Sequence, residues 1–196
     1  MDDWQRAFAD VEAAGLQVCV DRSWYVASVR YFEPQGPFAA EFLAWSGTEL
    51  PAAQRAITPT WPAQLSAFIL AWRSPTETWA LSMDQAAFDT LKERIAQSSH
   101  GCCVDQTGGF WVLKATGERV EDLLLRIGST ASPPAIGEAH VSRVAEVAVL
   151  TMSVNPGETL LIVDRAYAEH LLNWVRVTAA DFDYASKPAS AAIARR

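Results

Sequence analysis

Histidine, cysteine, basic charge and long apolar runs are all scarce in this 196-residue sequence, and each shortage narrows what the chain can do. No apolar stretch approaches the roughly 20 residues that cross a bilayer. No membrane span is therefore expected, and residues 1–10 are acidic and amphipathic, unlike a secretory leader. A cytoplasmic location is the expectation. The 16 basic residues are outnumbered by 23 acidic ones, giving a net charge of -7 and an isoelectric point near 4.9. That balance speaks against nucleic acid, which needs a basic stripe to replace counterions along the phosphates. Cysteines number three, an odd count, and Cys102 and Cys103 are neighbours. Neither a disulfide framework nor a zinc site follows from that spacing. No G-x-G-x-x-G is present, and Gly108 with Gly109 falls between two expected strands, where a hairpin turn explains it better than a phosphate loop.

What the chain has in abundance is apolar and aromatic surface. Half of its residues are hydrophobic and eight are tryptophan, enough for a sizeable core in one domain or two closely packed halves. It also repeats itself. Cys19, Val20 and Asp21 return as Cys103, Val104 and Asp105. Glu77 and Thr78 before an apolar run and Asp84 return as Glu158 and Thr159 before Asp164. A duplicated unit of roughly eighty residues is the expectation, at the size of a small domain.

Periodicity supplies the elements. Trp4, Phe8 and Val11 recur at helical spacing with Gly15 as a stop, so residues 2–14 read as a helix. Strands are predicted at 16–20, 24–32, 66–72 and 78–82, with a helix at 38–45 whose Phe38, Phe42 and Trp45 share a face. Ser82 and Gln85 form a possible capping box for a helix over 84–97. The second half repeats the order, with strands at 101–105 and 110–115, a helix at 118–127, and strands at 139–144, 146–152 and 158–163. Asp164 then caps a helix to about Val177. The alanine-rich residues beyond, 179–196, read as a mobile tail. The organisation expected is an N-terminal helix over 1–15, subdomains over 16–98 and 99–178, and the tail. The fold class is α+β with duplicated β2-α-β2/3-α subdomains and mostly antiparallel sheets.

Chemistry-bearing residues are few. His100 beside Cys102 and Cys103 is the best local candidate for an activated thiol, because an imidazolium lowers a thiol pKa; a buried strand cysteine is the plainer reading. His140 and His170 have no ligand-spaced partners for a metal. Asp21 and Asp105 could hold an amine or a pterin, or accept turn amides at strand ends. Trp61, Trp72 and Trp79 cluster around prolines and are hard to bury together, which makes them the candidate partner contacts. No catalytic, cofactor-binding or metal residue is assigned.

Cys103, Val104, Asp105, Gln106, Thr107, Gly108 and Gly109 before Phe110 to Leu113, with Leu123 and Leu124, then Glu158 to Asp164 followed by Arg165, Ala166, Tyr167 and Trp174, form an ordered set. So do Leu50 with Pro51, and Trp72 to Trp79 with Pro75 and Glu77. In these positions the chain resembles the gamma subunit of heterotetrameric sarcosine oxidase, a relative of the folate-binding T-protein of the glycine cleavage system. The resemblance spans about 160 residues and departs at Thr76, where an acidic residue is common, and over 129–137. It implies interleaved subdomains of the T-protein-like fold. It also implies an accessory, non-catalytic subunit contacting alpha, beta and delta chains, which would carry FAD, FMN, NAD, tetrahydrofolate and zinc, in an assembly that oxidises sarcosine or a related secondary amine. Two other readings stand beside it: a stand-alone folate or small-molecule binder using Asp21 or Asp105, and a thiol enzyme using Cys102 or Cys103.

Overall fold

The structure is a computed structural model, which describes residues 9–59, 68–130 and 132–186. Among the described residues eleven strands and four helices follow in the order β1 (Val11–Ala13), β2 (Leu16–Asp21), β3 (Tyr25–Tyr31), α1 (Pro37–Ser46), β4 (Ala56–Ile57), β5 (Ile69–Ser74), β6 (Glu77–Ser82) and α2 (Gln85–Ala96), and then β7 (Gly101–Asp105), β8 (Phe110–Thr116), α3 (Val120–Ile127), β9 (Glu138–Val144), β10 (Val147–Asn155), β11 (Glu158–Asp164) and α4 (Ala168–Ser186). Among the described residues no helix is long and apolar enough to cross a membrane.

All strand pairs are antiparallel, and the strands form two sheets. One sheet runs β4-β5-β6-β3-β7 and the other β9-β10-β11-β8-β2, with β1 added outside β2. Each sheet thus takes one strand from the other half of the sequence: β2 pairs with β8, and β7 pairs with β3. Side-chain alternation along each strand divides the apolar residues between two faces. Val26, Ile69, Ala71, Trp79 and Leu81 of one sheet meet Val112, Leu150, Met152, Leu160 and Ile162 of the other in a central layer. The opposite faces are covered by helices. Phe38 and Phe42 of α1 with Phe88, Leu91 and Ile95 of α2 cover Ala27, Val29 and Leu70. Leu123, Leu124 and Ile127 of α3 with Leu171, Leu172, Val175 and Phe182 of α4 cover Val18, Leu113 and Leu161. The result is four layers, helix, sheet, sheet, helix, in which each fully buried large side chain contributes about 1.5–3 kcal/mol relative to exposure. At one edge the sheets also join through the backbone, Ala56 N–H to Gly137 O and Ala139 N–H to Gln54 O, both 3.0 Å.

Local chemistry explains the helix ends. Asp84 Oδ1 accepts from the Ala86 and Ala87 amides at 2.8 and 3.1 Å, so this residue caps α2. Ser82 accepts only from the Asp84 amide, which corrects the expected capping box. Gly47 ends α1 in the left-handed conformation, φ 68°, as a C-terminal glycine does.

Three further expectations are corrected. Val11–Ala13 is a strand paired with β2, so the N-terminal helix does not reach residue 14, and residues 1–8 lie outside the described part. Val11 is buried against the sheet core, and its spacing fits either period in so short a segment. The helix that starts after Asp164 runs to Ser186, because Ala179 and Phe182 are buried under α3; only 187–196 of the expected tail falls outside the described residues. Lastly, the two Cys-Val-Asp copies are out of step. Arg30 faces both Glu77 and Cys102, and Thr116 faces both Glu158 and Gln17. Cys103 therefore matches Val18 in position, and Cys19 matches Val104.

The β9–β10 hairpin turns through Ala145 and Glu146, at φ 49° and 65°. Both sit in the left-handed region that a two-residue turn of this kind demands and that glycine or asparagine fills without strain. The turn is pinned by the Ala145 N–H to Ile127 O and by His170 Nε2 at 2.9 Å from Ala145 O. Glu146→Gly is expected to raise stability by about 0.5–1 kcal/mol, the left-handed penalty less the added chain entropy, read as a higher melting temperature.

Candidate partner-contact cleft

A cleft of about 620 Å³ opens between α1, residues 49–53 and the β5–β6 turn. Its position follows from two short breaks in the pattern. Gly47 stops α1, and the chain returns across the end of the sheet through Leu50 and Pro51, while Pro75 turns β5 into β6. Ala39 and Ala40 present little side chain on the facing side of α1 and leave the space open. Tyr31 forms the floor, buried and stacked on Phe38 with ring centroids 5.5 Å apart, its hydroxyl sharing a 2.9 Å hydrogen bond with Thr78 Oγ1. Burial raises that phenol's pKa. Trp72 lines the wall half-buried. Leu50, Pro51, Trp72 and Pro75, which stand far apart in sequence, thus converge on one feature.

The other half carries a cleft in the corresponding place, about 440 Å³, between the end of β8, α3, residues 133–136 and the β10–β11 turn. Its lining differs in kind. Glu118, Glu121 and Glu158 replace the aromatic and proline walls of the first, and Glu158 holds Lys114 at 2.5 Å, raising the lysine's pKa. The larger cleft has Glu49 as its single carboxylate, and among the described residues neither cleft is lined by lysine or arginine.

The three tryptophans singled out in the sequence separate. Trp72 is in the cleft. Trp61 lies outside the described residues. Trp79 is 4% exposed and belongs to the layer between the sheets, packed edge-on against Phe110 at 4.5 Å, with its indole N–H donating to Glu77 Oε1 at 3.0 Å. An exposed contact role for Trp79 is thereby corrected: the strand alternation that buries Leu81 and Thr78's neighbours carries the ring inward.

The candidate acids are taken up in structural bonds, while Cys102 is exposed on β7. Asp21 accepts from the Ser23 amide, the Ser23 hydroxyl and Trp24 Nε1. Asp105 accepts from the Thr107 amide at 3.0 Å and from Lys92 Nζ at 3.2 Å. Burial alone would raise the Asp105 pKa, but these donors outweigh it and hold the carboxyl below its usual range. Glu77 accepts from Ser28 Oγ at 2.6 Å as well as from Trp79. His100 stands 3.6 Å from Glu41, and His140 3.0 Å from Glu138. Burial pushes the Cys103 thiol up to about 11, so at neutral pH it is no thiolate nucleophile. Among the described residues no group of three or more histidine, cysteine or acidic side chains could hold a metal ion.

Sequence reasoning missed the cleft itself, because its walls are single residues drawn from three loops; the only advance signal was the leucine-proline and tryptophan-proline pairs.

No protein-family model matches the chain, and no curated protein matches it in sequence. Solved structures do. One chain of the heterotetrameric sarcosine oxidase from Corynebacterium sp. U-96, determined with pyrrole 2-carboxylate, superposes with a TM-score of 0.76 at 19% identity over 94% of this chain and 93% of that one. The glycine cleavage system aminomethyltransferase T from Bartonella henselae superposes at 0.66 with 14% identity, over 82% of this chain and 45% of that protein. The α+β architecture of two antiparallel sheets flanked by helices is thus the fold of a sarcosine oxidase chain and of the T-protein domain.

Proposed function

We propose that this chain is a non-catalytic accessory subunit, of gamma type, in a sarcosine oxidase-type assembly that oxidises an N-methyl or related secondary amine. The observation that carries the reading is the end-to-end superposition on one chain of a heterotetrameric enzyme, nearly complete for both chains. The side-chain chemistry supports it: the candidate acids, histidines and Cys103 are spent on turns, ion pairs and burial, and the larger, apolar cleft suits a contact surface. In this reading the partners are alpha, beta and delta chains, they bear the FAD, FMN, NAD, tetrahydrofolate and zinc, and the assembly works in the cytoplasm. The halves 16–98 and 99–178 are copies of one unit, as their matching strand orders support. The rival role of a free-standing folate binder gains nothing from clefts without basic residues.

The test is co-purification of the tagged chain when it is expressed with its neighbouring genes. Recovery of flavin-bearing chains in fixed ratio is the expected result; recovery of the tagged chain alone would sink the reading. Trp72→Ala is expected to lower partner recovery about tenfold, as loss of an interface aromatic does, while the melting temperature stays within a few degrees. Retention of full recovery would move the contact away from this cleft.

A further inference from the structure

The two sheets share one strand order with a single difference. Outside β2 stands β1, while outside the corresponding strand β7 no strand stands among the described residues. The edges are otherwise managed. β4 and β9 close on each other. β1 is only three residues long, and its flanks are taken up by α4: Asp183 Oδ1 accepts from the Ala14 amide at 2.8 Å and Arg176 donates to Ala9 O at 3.1 Å. Among the described residues nothing takes up the outward backbone groups of β7, although Lys92 of α2 reaches the Asp105 carboxylate at 3.2 Å. The Gln106 amide donates to Val26 O at 2.8 Å, and the register places Ser28 opposite Val104 and Arg30 opposite Cys102. Because bonded and non-bonded pairs alternate along an antiparallel ladder, the backbone groups of Gly101, Cys103 and Asp105 aim away from the sheet. Around them Cys102 is exposed, Val104 is 41% exposed and Phe32 beside the strand is 85% exposed.

We infer that β7 is a docking edge that receives an extended segment of a different polypeptide, which adds to the sheet as β1 adds to β2. An uncovered edge of this kind is a hazard that folded proteins usually suppress, and strand addition is a recognised mode of peptide capture. A second copy of this chain is the poorer occupant. Edge to edge, two copies would meet over five residues each, about 17 Å of strand, short of the area that standard interfaces bury. Each copy would also bring a charge of -7, which opposes self-association. The β1–β2 pair sets the chemistry of the guest: Val11 and Ala13 lie opposite Val18 and Leu16 on the core side, and Glu12 points to solvent. The guest is antiparallel and apolar at alternate residues. The accessory-subunit reading supplies only the owner of that segment; the open edge belongs to this chain whatever its partners are.

The test uses the isotope-labelled full chain with two blocked pentapeptides at millimolar concentration, acetyl-Val-Thr-Val-Thr-Val-amide and the same peptide methylated on its central amide nitrogen. Hydrogen exchange at the Gly101, Cys103 and Asp105 amides is expected to slow about fivefold with the first peptide, as local protection rises, and to stay unchanged with the second. Cys103→Pro, which removes the central outward donor, should abolish the response; should that variant not fold, the peptide pair still decides. Absence of protection, equal protection by both peptides, or protection centred elsewhere would overturn the inference, as would a dimer of the chain alone in which those amides are already protected. A response to the peptide combined with failure to recover flavin-bearing partners would remove the accessory reading and leave the docking edge standing.

Discussion

Replacing Trp79 with alanine is expected to cost about 3–5 kcal/mol, the range for truncating a buried large aromatic. The ring fills the layer between the sheets at 4% exposure, meets Phe110 edge-on at 4.5 Å and has the Arg73 guanidinium 5.6 Å from its centroid. Its removal leaves a cavity that both sheets line. It also takes one of two short donors from Glu77, which keeps Ser28 at 2.6 Å and the Arg30 guanidinium at 3.9 Å, and a half-buried carboxylate that loses a donor adds to the penalty. Against a total stability of about 5–15 kcal/mol for an ordinary domain, the loss is about a fifth or more. Chemical denaturation should show a midpoint shifted far down with an unchanged slope. Trp79→Phe keeps most of the ring volume without the N–H, and is expected to recover more than half of the loss. A Trp79→Ala variant as stable as the parent would mean that the ring is not a core element at all.

The second large effect concerns the exchanged strands. Cutting the chain between residues 98 and 99 is expected to leave two fragments that show no cooperative unfolding alone and regain it when mixed. Each fragment would keep most of one sheet but give up a strand: the first loses the β7 that pairs along β3, and the second loses the β2 that pairs along β8. In both, buried residues of the central layer face water, since Val26, Trp79 and Leu81 lie on one fragment and Val112, Leu150 and Ile162 on the other. Exposing that layer removes about 1.5–3 kcal/mol for each large side chain, a loss comparable to the whole margin a small domain holds. Circular dichroism during thermal melting separates the outcomes: a sharp transition in either isolated fragment would show that the halves are independent.

Much of this architecture was readable in advance, and the exceptions have physical causes. Helix periodicity found α1, α2 and α3 to within two residues, because each carries its apolar residues on one face: Phe38 and Phe42, then Phe88, Leu91 and Ile95, then Leu123, Leu124 and Ile127. The strands of 78–82 and 158–163 were equally plain, as runs buried on both faces in a four-layer stack. Three-residue β1 carries too little pattern to tell one period from another. The end of α4 was misread because Ala179 and Phe182 are spaced among alanines and acids, and their burial depends on α3, which is remote in sequence. The Cys-Val-Asp match was correct as letters and misleading as register, since a turn of different length lies between each copy and the strand that follows. The candidate site was half legible. Leu50, Pro51, Trp72 and Pro75 were marked by resemblance, but nothing in their spacing reveals that one cleft gathers them. Trp79 followed the same tryptophan-rich signal into the wrong environment.

The crossing of β2 and β7 between sheets has a consequence for synthesis. As the polypeptide leaves the ribosome, residues up to 82 can assemble β5, β6 and β3 but must wait for residues 101–105 to finish that sheet, while β2 has only the three-residue β1 as a partner until residues 110–116 emerge. Nascent chains of this protein therefore remain incomplete until residues 110–116 have emerged, and early intermediates carry sticky strands that a chaperone would have reason to hold.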